Sequence, residues 1–524
     1  MKKYTSKLLV LFLIVLLILP IGCSNTNKKN TIQSFDINIA ETENTAKQKL
    51  MILHTNNVQG NVNNNINHAN LLQLSDEYKS MGYEVIVLDT GNAFYGYPEA
   101  IYTKGNFVGD IMNKTNYSAT TLGNLDFNYS LTHILNLSQE LNFPILVANV
   151  FYEITGEPIF TSNTIINVNN TKIGIFGLTA PNMSANYNAN NIKISEKEEL
   201  YKVAQSQINE LKSNNCDIII AIGSLGTEEF NAGNTSIDVI KNTRGIDLFV
   251  DGGNQEALEK DTRINKTLLV RSGENFDSIG EVLYDGEIFT SNIKQAPLSK
   301  NKELENYIQQ ELKKIHSELA KVIIGNTEIP LNAKGILDVA QVETNMGDLI
   351  TDAMLYMSDK KGCTSEIALL NNISIKNDIN KGNISAFEII DAISKDTIIV
   401  MDIPGYVIKE ILKENAKLSA PDNIIQVSGI NYILDKTEIP NQINITNING
   451  ELFSEEKIYT VVTTNTLVKN NDNYQLLKDY YKGDNIGVTL TQTVSDYIST
   501  KLNKKILASQ YETPQGRITI IEQN

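Results

Sequence analysis

The chain has 524 residues, 41% hydrophobic and 20% charged, which is the composition of a soluble globular protein too long for one core. Roughly two to three domains are expected. A net charge of −16 argues against nucleic acid as a partner, because phosphate binding needs basic patches.

Lys2, Lys3 and Lys7 precede the apolar stretch "LLVLFLIVLLILPIG", which ends at Cys23. A basic start, a short apolar run and a small residue before the break predict a secretory signal over 1–23. At about 15 residues the run falls short of the ~20 needed to span a bilayer. Gly22-Cys23 resembles the lipobox of bacterial lipoproteins, with Pro20 where Leu is usual, so Cys23 is the expected lipidation site and the membrane the expected partner. An ordinary signal peptide and an uncleaved anchor are the alternatives, and all three place the rest of the chain outside the cytoplasm. Residues 24–48 are polar and read as a flexible tether.

From residue 49 short apolar runs alternate with helical stretches: "LMILHT", "YEVIVLDTG", "FPILVANV", "TKIGIFGLTAP", "CDIIIAIGS" and "GIDLFVDGG". Each holds several β-branched or aliphatic residues and stops at Gly, Asn or Asp, as buried strands of an α/β fold do. Ligands in such folds sit beyond the C-terminal strand ends. Residues 300–322 are charged and helix-prone and predict a connecting helix. A second α/β region follows, opening on "ETNMGDLITDAMLYM", where Leu349, Ile350, Ala353 and Met354 form one apolar stripe. Cys216 and Cys363 fall in different predicted domains, so packing as small apolar residues is expected rather than a disulfide or zinc site.

The order of these segments, with "YSATTLGNLDFNYS", "VETNMGDLITDAML" and the terminal "GRITI", resembles the bacterial 5'-nucleotidase family from about residue 49 to 520. The resemblance implies an α/β and α+β architecture. A four-layer metallophosphatase-type β-sandwich flanked by helices is expected over 49–299, the connecting helix over 300–322, and an α/β 5'-nucleotidase-type domain over 323–524.

It also implies a mechanism using two divalent metals about 3.5–4 Å apart, held by carboxylates and imidazoles. Here the matching positions carry Asn57 and Gln59 for an Asp and a His, and Asn92 for the bridging Asp. Asn124 is retained, Ser224 stands for a His, and Gly253 and Gln255 stand for two more ligands. One of seven positions survives, and it is the neutral one. The acid/base dyad positions hold Leu125 and Asn128, and Leu can neither transfer a proton nor donate a hydrogen bond. The chain's four histidines, His54, His68, His133 and His316, cannot supply a His-rich dimetal centre.

In the C-terminal region Lys376 replaces an arginine, and Lys lacks its bidentate fork. Asp472 and Tyr474 persist as remnants of the substrate loop. Thr466 and a residue near Ile424 stand where two rings would sandwich a base, and Tyr432 is the substitute ring or a core residue. No cofactor is therefore expected. The reading is an inactive surface lipoprotein with a binding or accessory role, its small-molecule or protein partner undefined. The alternatives are a hydrolase with substituted ligands, an all-oxygen Mg²⁺ or Ca²⁺ site at Asp89, Asp126 and Asp251, and a nucleoside- or sugar-binding module. The amides at 57 and 92 fit either drift, since unpaired buried carboxylates are costly, or a retained polar pocket.

Overall fold

The computed structural model describes residues 49–521 except 169, 182–191, 228–231, 254–256, 259–260, 334–342, 418–423, 438–441, 449–450, 470–474 and 481–484. The expectations for Cys23, the tether, Gln255, Asp472 and Tyr474 lie outside these residues.

Two sheets face each other in the N-terminal region. In the first, Leu50–Thr55 runs parallel to Glu84–Asp89 and antiparallel to Ile279–Tyr284, with Phe289–Lys294 and Ala119–Thr120 at the edges. In the second, Thr171–Thr179, Ile218–Ser224, Leu248–Asp251 and Thr267–Val270 are parallel, flanked by Asn163–Val168 and Thr262–Ile264. Side chains alternate across each strand. Ile52, Leu88, Ile175, Ile220 and Val250 therefore fill the space between the sheets. Leu53 and Val87 point outward beneath one helical layer, and Phe176 and Phe249 beneath another formed by Glu198–Ser213 and Ser236–Asn242. Four layers result.

The run "FPILVANV" departs from its expected form. It makes isolated bridges, Thr120 to Ile145 and Leu146 to Thr161, and becomes a strand only at Val150–Tyr152. The cause is its path between the sheets: Leu146 N–H donates to Thr120 of one sheet, and Ala148 N–H to Gly177 of the other.

Helix Lys302–Leu319 presents Leu304, Ile308, Leu312, Ile315 and Leu319 to the first helical layer, where Phe387 and Ile390 also pack. The region beyond is built on a sheet ordered Ile425–Ser428, Ile367–Asn371, Ile458–Thr464, Thr397–Pro404 and Asn485–Thr489. Helix Asn345–Lys360 lays Leu349, Ile350, Ala353 and Met354 on one face, against Leu370 and Val462. Helix Gly405–Lys417 covers the other face. Neither Cys216 nor Cys363 is in a disulfide. No helix among the described residues is long and apolar enough to cross a membrane.

Candidate functional site

Parallel pairing puts Thr55, Asp89 and Thr120 at one end of the first sheet, and Thr179, Ser224 and Asp251 at one end of the second. The two ends meet, because Asn56 Nδ2 donates to Thr90 Oγ1 at 2.7 Å and to Asp251 O at 2.5 Å. The described ligand positions Asn57, Gln59, Asn92, Asn124, Ser224 and Gly253 lie at or just past these strand ends.

Asn57, Gln59 and Asn92 all have left-handed backbone, with φ of 49°, 53° and 54°. Asn tolerates this region better than most residues. For Gln59 the conformation is held by its N–H to Asn92 O and by Tyr97 N–H to its own carbonyl, both 2.7 Å. The side chains then bond to one another. Asn92 Nδ2 donates to Asn57 Oδ1 at 3.0 Å and to Asn124 Oδ1 at 3.2 Å, while Asn92 Oδ1 accepts from Leu125 N–H at 2.8 Å. Asn57 Nδ2 and Gln59 Nε2 both donate to Glu274 Oε2, at 3.2 and 3.1 Å. Glu274 is buried, and its Oε1 accepts from Asn465 Nδ2 of the C-terminal region at 3.0 Å. Sequence reasoning missed Glu274. Its one signal was a charged residue just past a core strand, in "RSGENF".

Ser224 is buried at its strand end. Gly253 lies so close to the neighbouring loop that a Cβ there would stand 2.0 Å from Gly226 N. A histidine cannot occupy position 253 on this backbone. Leu125 is buried and faces Gly487 across the cleft, and Asn128 Nδ2 turns back to donate to Leu125 O.

Asp89, Asp126 and Asp251 form no common oxygen site. Among the described residues no three His, Cys, Asp or Glu side chains converge as metal ligands. Asp89 accepts from Thr55 and Thr120 hydroxyls and Gly91 N–H, all at 2.8 Å. Asp126 caps the N–H groups of Asn92, Phe94 and Gly123. Asp251 pairs with the buried Arg271 at 3.3 Å. Burial raises all three carboxyls, Asp89 to about 7 and Asp126 to about 6, the hydrogen bonds offsetting only part of the desolvation.

A pair of dications needs anionic oxygens or imidazoles with free lone pairs. The donor set here does not fit one: the amide oxygens of Asn57, Asn92 and Asn124 already accept hydrogen bonds, and a guanidinium stands beside Asp251.

Between the two regions lies a cavity of about 470 Å³ lined by Gln59, Glu274, Lys376, Lys395, Asp396 and Thr466 among others. Lys376 and Thr466 thus reach the cleft. Tyr432 is a core side chain, and Ile424 is buried without lining the cavity. Buried Glu99 accepts from His316 Nε2 at 2.8 Å and Lys395 Nζ at 2.5 Å. Burial pushes its carboxyl up, but these two partners outweigh it and hold the pKa at about 2.

Residues 323–479 match the family described as 5'-nucleotidase, C-terminal domain. The chain is a homologue of the 5'-nucleotidases. It is 24% identical to a 5'-nucleotidase of Vibrio parahaemolyticus over 90% of this chain and 92% of that one. It is 25% identical to the trifunctional nucleotide phosphoesterase protein of Bacillus subtilis over 87% of its own length, which is 34% of that longer protein. The fold of this 5'-nucleotidase homologue is shared with an NAD nucleotidase of Haemophilus influenzae, at a TM-score of 0.61 and 16% identity over 90% and 99% of the two chains. It is shared also with a putative 5'-nucleotidase of Staphylococcus aureus, at 0.53 and 16% over 91% and 100%. These neighbours have two domains, a calcineurin-like N-terminal one and a C-terminal one.

Proposed function

We propose that this 5'-nucleotidase homologue is catalytically inactive, and that it acts as a binding or accessory protein held outside the cytoplasm by a lipid at Cys23. One observation carries the reading of inactivity. The amides at the metal-ligand positions are closed into a hydrogen-bonded set running from Asn124 through Asn92 and Asn57 to Glu274. Opening it to admit two dications would strip several buried donors of their acceptors, at about 1–3 kcal/mol each. Drift from a metal centre fits this, because neutral amides fill the space of Asp while removing charge that would otherwise be buried unpaired. The neutral replacements at Leu125 and Asn128 remove proton transfer as well.

The test is calorimetric titration of the purified full chain with Mn²⁺ and Zn²⁺. The expected result is no site of defined stoichiometry. Two sites per chain would overturn the reading. For the anchor, Cys23→Ala should release the protein from the membrane fraction of its host; retention of that variant would sink the lipid assignment.

A further inference from the structure

The cavity between the two regions has a wall whose chemistry points to its ligand. Four carboxylates line it, from Glu99, Glu274, Asp277 and Asp396, against the ammonium groups of Lys376 and Lys395. Lys395 is already spent on Glu99. Asp277 is exposed at the mouth, and Lys376 is the other charge at the rim. The rest of the lining is rich in groups that both donate and accept: Gln59, Asn61, Asn63, Asn275, Asn465 and Thr466. Among the described residues of the lining the one aromatic ring is Tyr97, which has the Lys395 ammonium 5.4 Å from its centroid over one face.

We infer that this cleft binds an uncharged, polyhydroxylated ligand of the carbohydrate class and disfavours phosphate esters. Hydroxyl groups match a wall of mixed carboxylates and amides, because each can donate to an acid and accept from an amide. A volume of about 470 Å³ suits a mono- or disaccharide. A phosphate dianion would meet an excess of carboxylate charge. This inference rests on the reading of the protein as a binding module without turnover, and deepens it by naming the ligand class.

The experiment is titration of the full chain in EDTA with glucose, maltose and adenosine, and with glucose 6-phosphate and 5'-AMP. Saturable one-site binding of glucose or maltose is expected, with the phosphate esters at least tenfold weaker. Asp277→Asn, at an exposed position, should narrow that gap several-fold, with an unchanged melting temperature reporting an intact fold. Phosphate esters bound as tightly as the sugars would overturn the inference, as would binding of neither sugar. Adenosine bound tenfold more tightly than both sugars would overturn the assignment to free carbohydrate. A parallel arm with Mn²⁺ separates the two claims. Phosphate esters bound without hydrolysis sink the ligand class alone, whereas hydrolysis sinks the reading of inactivity.

Discussion

Glu274 and Asn465 meet across the cleft: Asn465 Nδ2 donates to Glu274 Oε1 at 3.0 Å, while the other carboxylate oxygen takes Asn57 and Gln59. One buried carboxylate thus ties the former metal loop to the C-terminal region. Replacing it by alanine leaves three amide donors without that acceptor. Glu274→Ala should lower stability by about 2–3 kcal/mol, the cost of stranding buried polar groups. Urea denaturation would check this, and an unchanged midpoint would mean that the bridge contributes nothing net.

Position 253 gives a second expectation. A Cβ there would lie 2.0 Å from Gly226 N, so Gly253→His forces the two loops apart. The cost should be about 1–3 kcal/mol, as for overpacked sites. Thermal melts with and without Zn²⁺ would check it: a lowered melting temperature not rescued by metal is expected. Metal-dependent stabilisation would instead mean that the loop opens readily.

Arg271 and Asp251 form a buried ion pair, with side chains 7% and 0% exposed. Arg271→Leu strands the carboxylate and should cost about 3 kcal/mol or more. Adding Asp251→Asn should recover part of that loss. Full additivity of the two changes would show the pair uncoupled.

Two carboxyls give pH dependences of opposite sign. Glu99 has its folded pKa lowered from 4.5 to about 2, so the unfolded chain binds its proton first as pH falls. Its contribution, on the order of 3 kcal/mol, is present above pH 4.5 and is lost as pH falls towards 2. Asp89 is raised from 3.8 to about 7, so the folded state holds the proton longer and stability declines as pH rises from 3.8 to 7. Denaturation midpoints of Glu99→Gln and the parent chain from pH 2.5 to 7 would separate them. The variant should lose the acid limb below 4.5 and keep the decline above it.

Much of the fold is legible in the sequence, because strands buried on both faces write long aliphatic runs that stop at polar residues. The stripe of Leu349, Ile350, Ala353 and Met354 likewise names its buried face. "FPILVANV" misleads because the same run serves a chain crossing between sheets, and its partners at Thr120 and Gly177 are remote in sequence. The substituted ligand positions are visible one by one, but their bonding to one another is not, since Asn57, Asn92 and Asn124 meet only through the parallel register of their strands. Glu274 is hidden for the same reason, its three amide partners lying on other loops of both regions. Asp89, Asp126 and Asp251 look like a cation site from their positions near one sheet edge, yet each is consumed by hydroxyl groups, backbone N–H groups or Arg271 beside it.

The most direct measurement is phosphoester turnover by the full chain, purified and dialysed against Mn²⁺, Zn²⁺ or Mg²⁺, on an aryl phosphate, 5'-AMP and a nucleotide sugar. Rates at the uncatalysed background with every metal are the expected result. Metal-dependent turnover abolished by Asn92→Ala would contradict it, and would mean that the amides of this site release their hydrogen bonds to hold metal.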